Sequence, residues 1–107
     1  MPEAPLKTLS DRVSDAHARI QAAHEHINPV VEVRQGMRDS GIPADVITLD
    51  CLRTQRRINL VLHDQQPGTV LYQFVTREEE VSGEFKQIDL TALSSDTLFD
   101  WMQDYFG

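Results

Sequence analysis

The sequence predicts an α+β fold, and three observations carry that prediction. An N-terminal stretch repeats apolar residues at helical spacing, a central stretch alternates them at strand spacing, and the C-terminal dozen residues return to helical spacing. The expected architecture is an N-terminal amphipathic helix or helical hairpin, an antiparallel meander of three to four strands, and a C-terminal helix packed on the sheet. A chain of 107 residues suits one domain, 1–107, with 1–7 as a loose lead-in.

From Leu6 to Met37 two apolar columns recur every seventh residue: Leu6, Val13, Ile20, Ile27 and Leu9, Ala16, Ala23, Val30, Met37. Thr8 with Asp11 three residues later resembles a capping box, so the first helix is expected from Leu9 to Ile27. Asn28-Pro29 breaks the seam, because proline removes a helical hydrogen bond and biases the residue before it toward extended angles. The expectation is a second helix capped by Asn28, begun by Pro29, edged by Val30, Val33 and Met37, and ended at Ser40-Gly41. The register of Leu9, Val13, Ala16, Ile20, Ala23 and Ile27 makes a wall that serves either the subunit's own core or self-association into a homodimer.

Ile42 to Leu52 has a helix-like start at Pro43-Ala44-Asp45 but strand composition from Val46 to Leu49, and is read as a strand. Ile58, Leu60 and Leu62 alternate with Asn59, Val61 and His63, and Thr69 to Thr76 returns with Val70, Tyr72, Phe74 on one face and Leu71, Gln73, Val75 on the other. Gln65-Gln66-Pro67-Gly68 is the turn between them. After a charged turn at Arg77-Glu78-Glu79-Glu80, a further strand is expected over Glu84–Leu90. Ser94 or Ser95 then caps a final helix whose apolar face is Leu98, Trp101, Met102 and Tyr105, widened by Phe99 and Phe106.

Function is less legible. The net charge of −7 lies wholly after Val61, where Arg77 and Lys86 face nine acids (2 − 9 = −7), while eight bases and eight acids cancel before it. Such a field opposes nucleic acid and anionic membrane and favours a protein partner with a basic surface. No apolar run reaches the roughly 18 residues of a membrane span, and the first residues do not read as a secretory signal, so a cytoplasmic protein is expected. Cys51 is the one cysteine, which excludes an internal disulfide.

No cofactor or metal is expected: His17 and His24 lie about two helical turns apart, roughly 10 Å, and no His-Glu-x-x-His pattern occurs. Cys51 and His63, oriented by Asp50 or Asp64, are the one conceivable nucleophile and base, and would imply a small enzyme or ligand carrier. Arg53, Arg56 and Arg57 form the one basic cluster, expected to answer acids of the second half. Asp96, Asp100 and Asp104 recur every fourth residue beside Trp101 and Tyr105, on a helix with no cation of its own after Asp89. These five residues are the candidate partner-binding site. The expected function is a non-catalytic, adaptor- or chaperone-like interaction module, with an antitoxin- or immunity-like acidic decoy for a nucleic-acid-binding protein as the third reading.

Overall fold

Alternating apolar residues between residues 44 and 76 build three long strands, and a computed structural model shows how the rest assembles on them; it describes residues 5–66, 68–78 and 84–107. In chain order the elements are α1 (Pro5–Ala23), β1 (Val30–Arg34), the single-turn α2 (Gly36–Asp39), β2 (Ala44–Cys51), β3 (Arg56–His63), β4 (Thr69–Thr76), β5 (Lys86–Asp89) and α3 (Ser95–Phe106). The sheet is an antiparallel meander in the order β1-β2-β3-β4-β5, so the fold is α+β with five strands. Expected features at Met1–Ala4, Pro67 and Glu79–Gly83 lie outside the described residues.

Cross-strand partners share a face, so the register sorts the side chains. Ile47, Leu49 and Cys51 stand beside Leu60, Ile58 and Arg56, and Leu60 and Ile58 beside Tyr72 and Phe74. This face, with Leu62 and Val70, packs against Leu9, Val13, Ala16 and Ile20 of α1 and Leu98, Met102 and Phe106 of α3. The heptad seam is therefore one wall of the subunit's own core. Leu9, Val13, Ala16, Ile20 and Ile27 are at most 1% exposed within the subunit; Ala23 alone of that set is exposed.

The opposite face carries a polar row across the strands, Glu32, Thr48, Asn59 and Gln73, flanked by a row of Asp50 and Arg57. Part of it is bonded laterally: Asn59 Nδ2 donates to Gln73 Oε1 at 2.8 Å, and Arg57 clasps Asp50 through two nitrogens at 2.5 and 3.1 Å, while Thr48 Oγ1 and Asn59 Oδ1 are buried without a hydrogen-bond partner among the described residues. Met37 and Phe85 pack with Ala44, Val46 and Val61 at one end of this face.

Several expectations are corrected. Asn28-Pro29 starts no helix: Val30, Val31 and Val33 form β1 against β2, since β-branched side chains fit a pleated surface better than a helical turn. Four residues of α2 are all that remain of the second helix. Helix α1 starts at Pro5, inside the supposed lead-in and ahead of the Thr8 box, because proline suits a first helical position. It stops at Ala23, and Ile27 reaches the core from the connection.

Candidate functional site

Helix α3 is held at both ends by arginines from distant segments. Its start is capped by Ser94, whose Oγ accepts from Thr97 N at 3.2 Å, and Arg19 of α1 ion-pairs with Asp96. At its end Arg53 Nη2 donates to the Phe106 carbonyl at 2.8 Å and Arg56 Nη1 to the Tyr105 carbonyl at 2.7 Å. The cations that the sequence of α3 lacks are thus supplied by Arg53 in the turn between β2 and β3 and by Arg56 at the start of β3, and the helix end does not itself call for an external one.

Orienting α3 in this way sets its aromatic flank against the end of β4. The Trp101 ring lies 4.6 Å from that of Tyr72, in a tilted stack, and 5.4 Å edge-on from that of Phe74. The Phe74 and Tyr105 rings are 5.2 Å apart, and Tyr105 Oη donates to the Val75 carbonyl at 2.8 Å, which fixes the ring. Phe74, Trp101, Asp104 and Tyr105 line a shallow hollow of ≈ 230 Å³. Phe74 is 38% exposed, unusual for a large aromatic beside a core. One cation already lies against the cluster, the Arg56 guanidinium 5.1 Å from the Tyr105 ring centre.

Of the five residues singled out from sequence, the structure brings Trp101, Asp104 and Tyr105 together in this hollow, with exposed Asp100 on the same helix. Asp96 stands apart at the helix start, engaged by Arg19 over the Phe99 ring. Asp100 and Asp104 form no ion pair among the described residues. Sequence reasoning missed Phe74, because strand alternation groups it with Val70 and Tyr72 and carries no local sign that it meets Trp101 and Tyr105 of α3 while staying 38% exposed.

A larger hollow of ≈ 480 Å³ lies between the start of α1 and α2, lined by Leu6, Gln35, Arg38, Asp45, His63 and Asp64 among others. Its guanidinium is spent, since Arg38 bonds Asp45 at 3.0 and 3.1 Å and Asp64 through two contacts of 2.9 Å. That clasp holds the Asp64 carboxyl below the usual carboxylate range and the Arg38 guanidinium above its own.

Cys51 and His63 do not form a nucleophile and base. Cys51 pairs with Arg56 at one end of the β2–β3 ladder and His63 with Ala44 at the other. Seven residues of strand separate them, roughly 23 Å, and they fall on opposite faces. His17 Nε2 lies 2.6 Å from the Pro29 carbonyl oxygen, and among the described residues no three His, Cys, Asp or Glu side chains gather where they could hold a metal ion. No described helix is long and apolar enough to cross a membrane. Comparison with protein-family models, curated proteins and solved structures finds no match to this chain.

Proposed function

We propose that this protein is a non-catalytic interaction module that docks a basic segment of a partner protein on the face shared by α3 and β4. The observation that carries the reading is the hollow of Phe74, Trp101, Tyr105 and Asp104: aromatic walls, one exposed ring and a carboxylate with no ion pair of its own among the described residues. A lysine or arginine side chain placed there gains attraction from the ring faces and from Asp104, with Asp100 one turn away. The charge of the second half of the chain, −7, draws such a segment in and repels phosphate backbones.

Trp101 is the one tryptophan of the chain and reports on the hollow directly. Titration with a short lysine- and arginine-rich peptide containing no tryptophan is expected to change its emission in a saturable, salt-weakened manner. An acidic peptide of the same length is expected to leave it unchanged. Asp104→Asn with Asp100→Asn is expected to weaken the response about tenfold, as loss of two charge contacts implies. An unaltered emission with the basic peptide, or equal binding by the double variant, overturns the reading.

A further inference from the structure

Strand β1 is the outermost of the sheet and, among the described residues, has β2 as its one strand neighbour. All five of its residues are exposed. Val31 and Val33 stand beside Leu49 and Ile47 on the face that the helices cover, yet they are 36% and 48% exposed, so the helical layer stops short of them. Val30, on the other face, is 44% exposed. An edge strand with three exposed valines in five residues, no proline, and two charges, Glu32 and Arg34, that pair with each other within the strand, is a template for another strand. The opposite edge, β5, is guarded: it reads Lys-Gln-Ile-Asp, with Lys86, Gln87 and Asp89 exposed.

We infer that the outer edge of β1 pairs antiparallel with β1 of a second copy of this chain, around a two-fold axis at Val33, with Glu32–Arg34 of each copy forming a short ladder that ends where Gln35 leads into α2, joining the two five-stranded sheets into one. The sequence of the strand selects this occupant because it complements itself. Glu32 and Arg34 flank Val33 on one face and already reach each other within the strand at 2.8 Å. With Val33 opposite Val33 of the second copy, each Glu32 stands opposite an Arg34, giving two opposite-charge cross-strand pairs, the arrangement that stabilises antiparallel ladders. An axis at Glu32 would set like charges face to face, and one at Val31 would bring Pro29, which has no N–H, into the ladder. The chosen axis also gathers Val31 and Val33 of both copies into one apolar patch at the gap between the two helical layers. Self-association thus moves from α1, whose apolar side is spent within the subunit, to the sheet edge.

Light scattering after size exclusion, on the full chain at concentrations on the order of 100 µM, where a small interface is populated, is expected to give twice the 12.2 kDa chain mass. Val33→Lys is expected to give a monomer with an unchanged circular-dichroism spectrum and the melting midpoint of the wild type at high dilution, since Val33 is half-exposed. Glu32→Arg and Arg34→Glu are each expected to weaken the dimer at least about tenfold, because both pairs become repulsive. The first presents two cations on that face and the second two anions, so mixing the two variants is expected to restore a dimer of one chain of each kind. A purely structural role within the subunit cannot produce that rescue, and the mixture decides the matter even if Val33→Lys alters folding. A wild-type chain that stays monomeric overturns the assignment to a second copy and makes a strand of another protein the alternative. A dimer indifferent to all three substitutions overturns the location.

Discussion

Arg53 and Phe106, half a chain apart in sequence, meet where the arginine Nη2 donates to the last carbonyl of α3 at 2.8 Å. Arg56 repeats the contact on Tyr105 at 2.7 Å. Together they tie the turn between β2 and β3 to the helix that carries the aromatic hollow. Replacing Arg53 by Ala is expected to cost about 1 kcal/mol, as for a charge-assisted bond at a helix C-terminus, and Arg56→Ala, at a more exposed contact, less. Urea unfolding measures both. The double variant should also broaden or shift Trp101 emission before global unfolding; a wild-type spectrum and wild-type stability would show that α3 is positioned without these caps.

Asp50 and Arg57 are 4% and 7% exposed, and face each other across β2 and β3. Asp50 holds the Arg57 guanidinium more firmly protonated than in water. Removing Arg57 leaves Asp50 buried with Arg77 alone among the described residues, at 3.8 Å, so Arg57→Met is expected to destabilise by about 2 kcal/mol, whereas Asp50→Leu with Arg57→Met together should be milder. A double-mutant cycle by denaturant unfolding tests this, and additive losses would contradict it.

The two alanines of the α1 seam now separate. Ala16 has no exposed surface, so Ala16→Glu would bury a carboxylate against α3 and the sheet and is expected to unfold the subunit. Ala23→Glu, at the exposed end of α1, is expected to change stability by less than about 0.5 kcal/mol. Circular dichroism of the two proteins is sufficient, and equal effects would contradict the placement of the seam.

Acid sensitivity should localise in part to the Arg38 clasp. Asp64 titrates below its ordinary value because Arg38 hydrogen-bonds its charged form, so near pH 4 the unfolded chain binds more protons than the native one. The stability from this contact is complete above the ordinary carboxylate range and is lost as pH falls through the lowered native value. Arg38→Gln is expected to flatten the dependence of the unfolding free energy on pH below about 4, and a slope equal to that of the wild type would contradict the linkage.

How legible the fold was depends on whether local pattern and tertiary environment agree. Ile58–Leu62 and Val70–Val75 alternate because one face meets helices and the other meets the polar row together with a small apolar cluster at Val61 and Leu71, and both read correctly as strands. Ser94 was legible as a cap because its hydroxyl serves an amide three residues on. Val30–Arg34 was misread because the seven-residue recurrence ran on through Val30 and Met37 by coincidence, while the partner that makes it a strand, residues 46–50 of β2, lies outside any local window. The fifth strand follows from the same pairing.

The site was legible only in part. Trp101, Asp104 and Tyr105 share one flank of α3 at helical spacing, and that grouping follows from sequence. Phe74 belongs with them only because the packing of α3 on the sheet sets Trp101 and Tyr105 against that end of β4. Asp96 leaves them because Arg19 reaches it from α1.

By itself, then, the sequence determined the class of fold, the helical ends, the central strands, the seam of α1 and the acidity of the second half, because each is encoded in periodicity, capping or charge over a few neighbouring residues. Tertiary structure alone decided that the seam faces inward, that Arg53 and Arg56 supply the cation α3 lacks, that Cys51 and His63 stand far apart, and that the valines of β1 lie on an open edge. Each of those outcomes turns on which distant segment comes to rest beside a residue, and that is set by the packing of the whole chain.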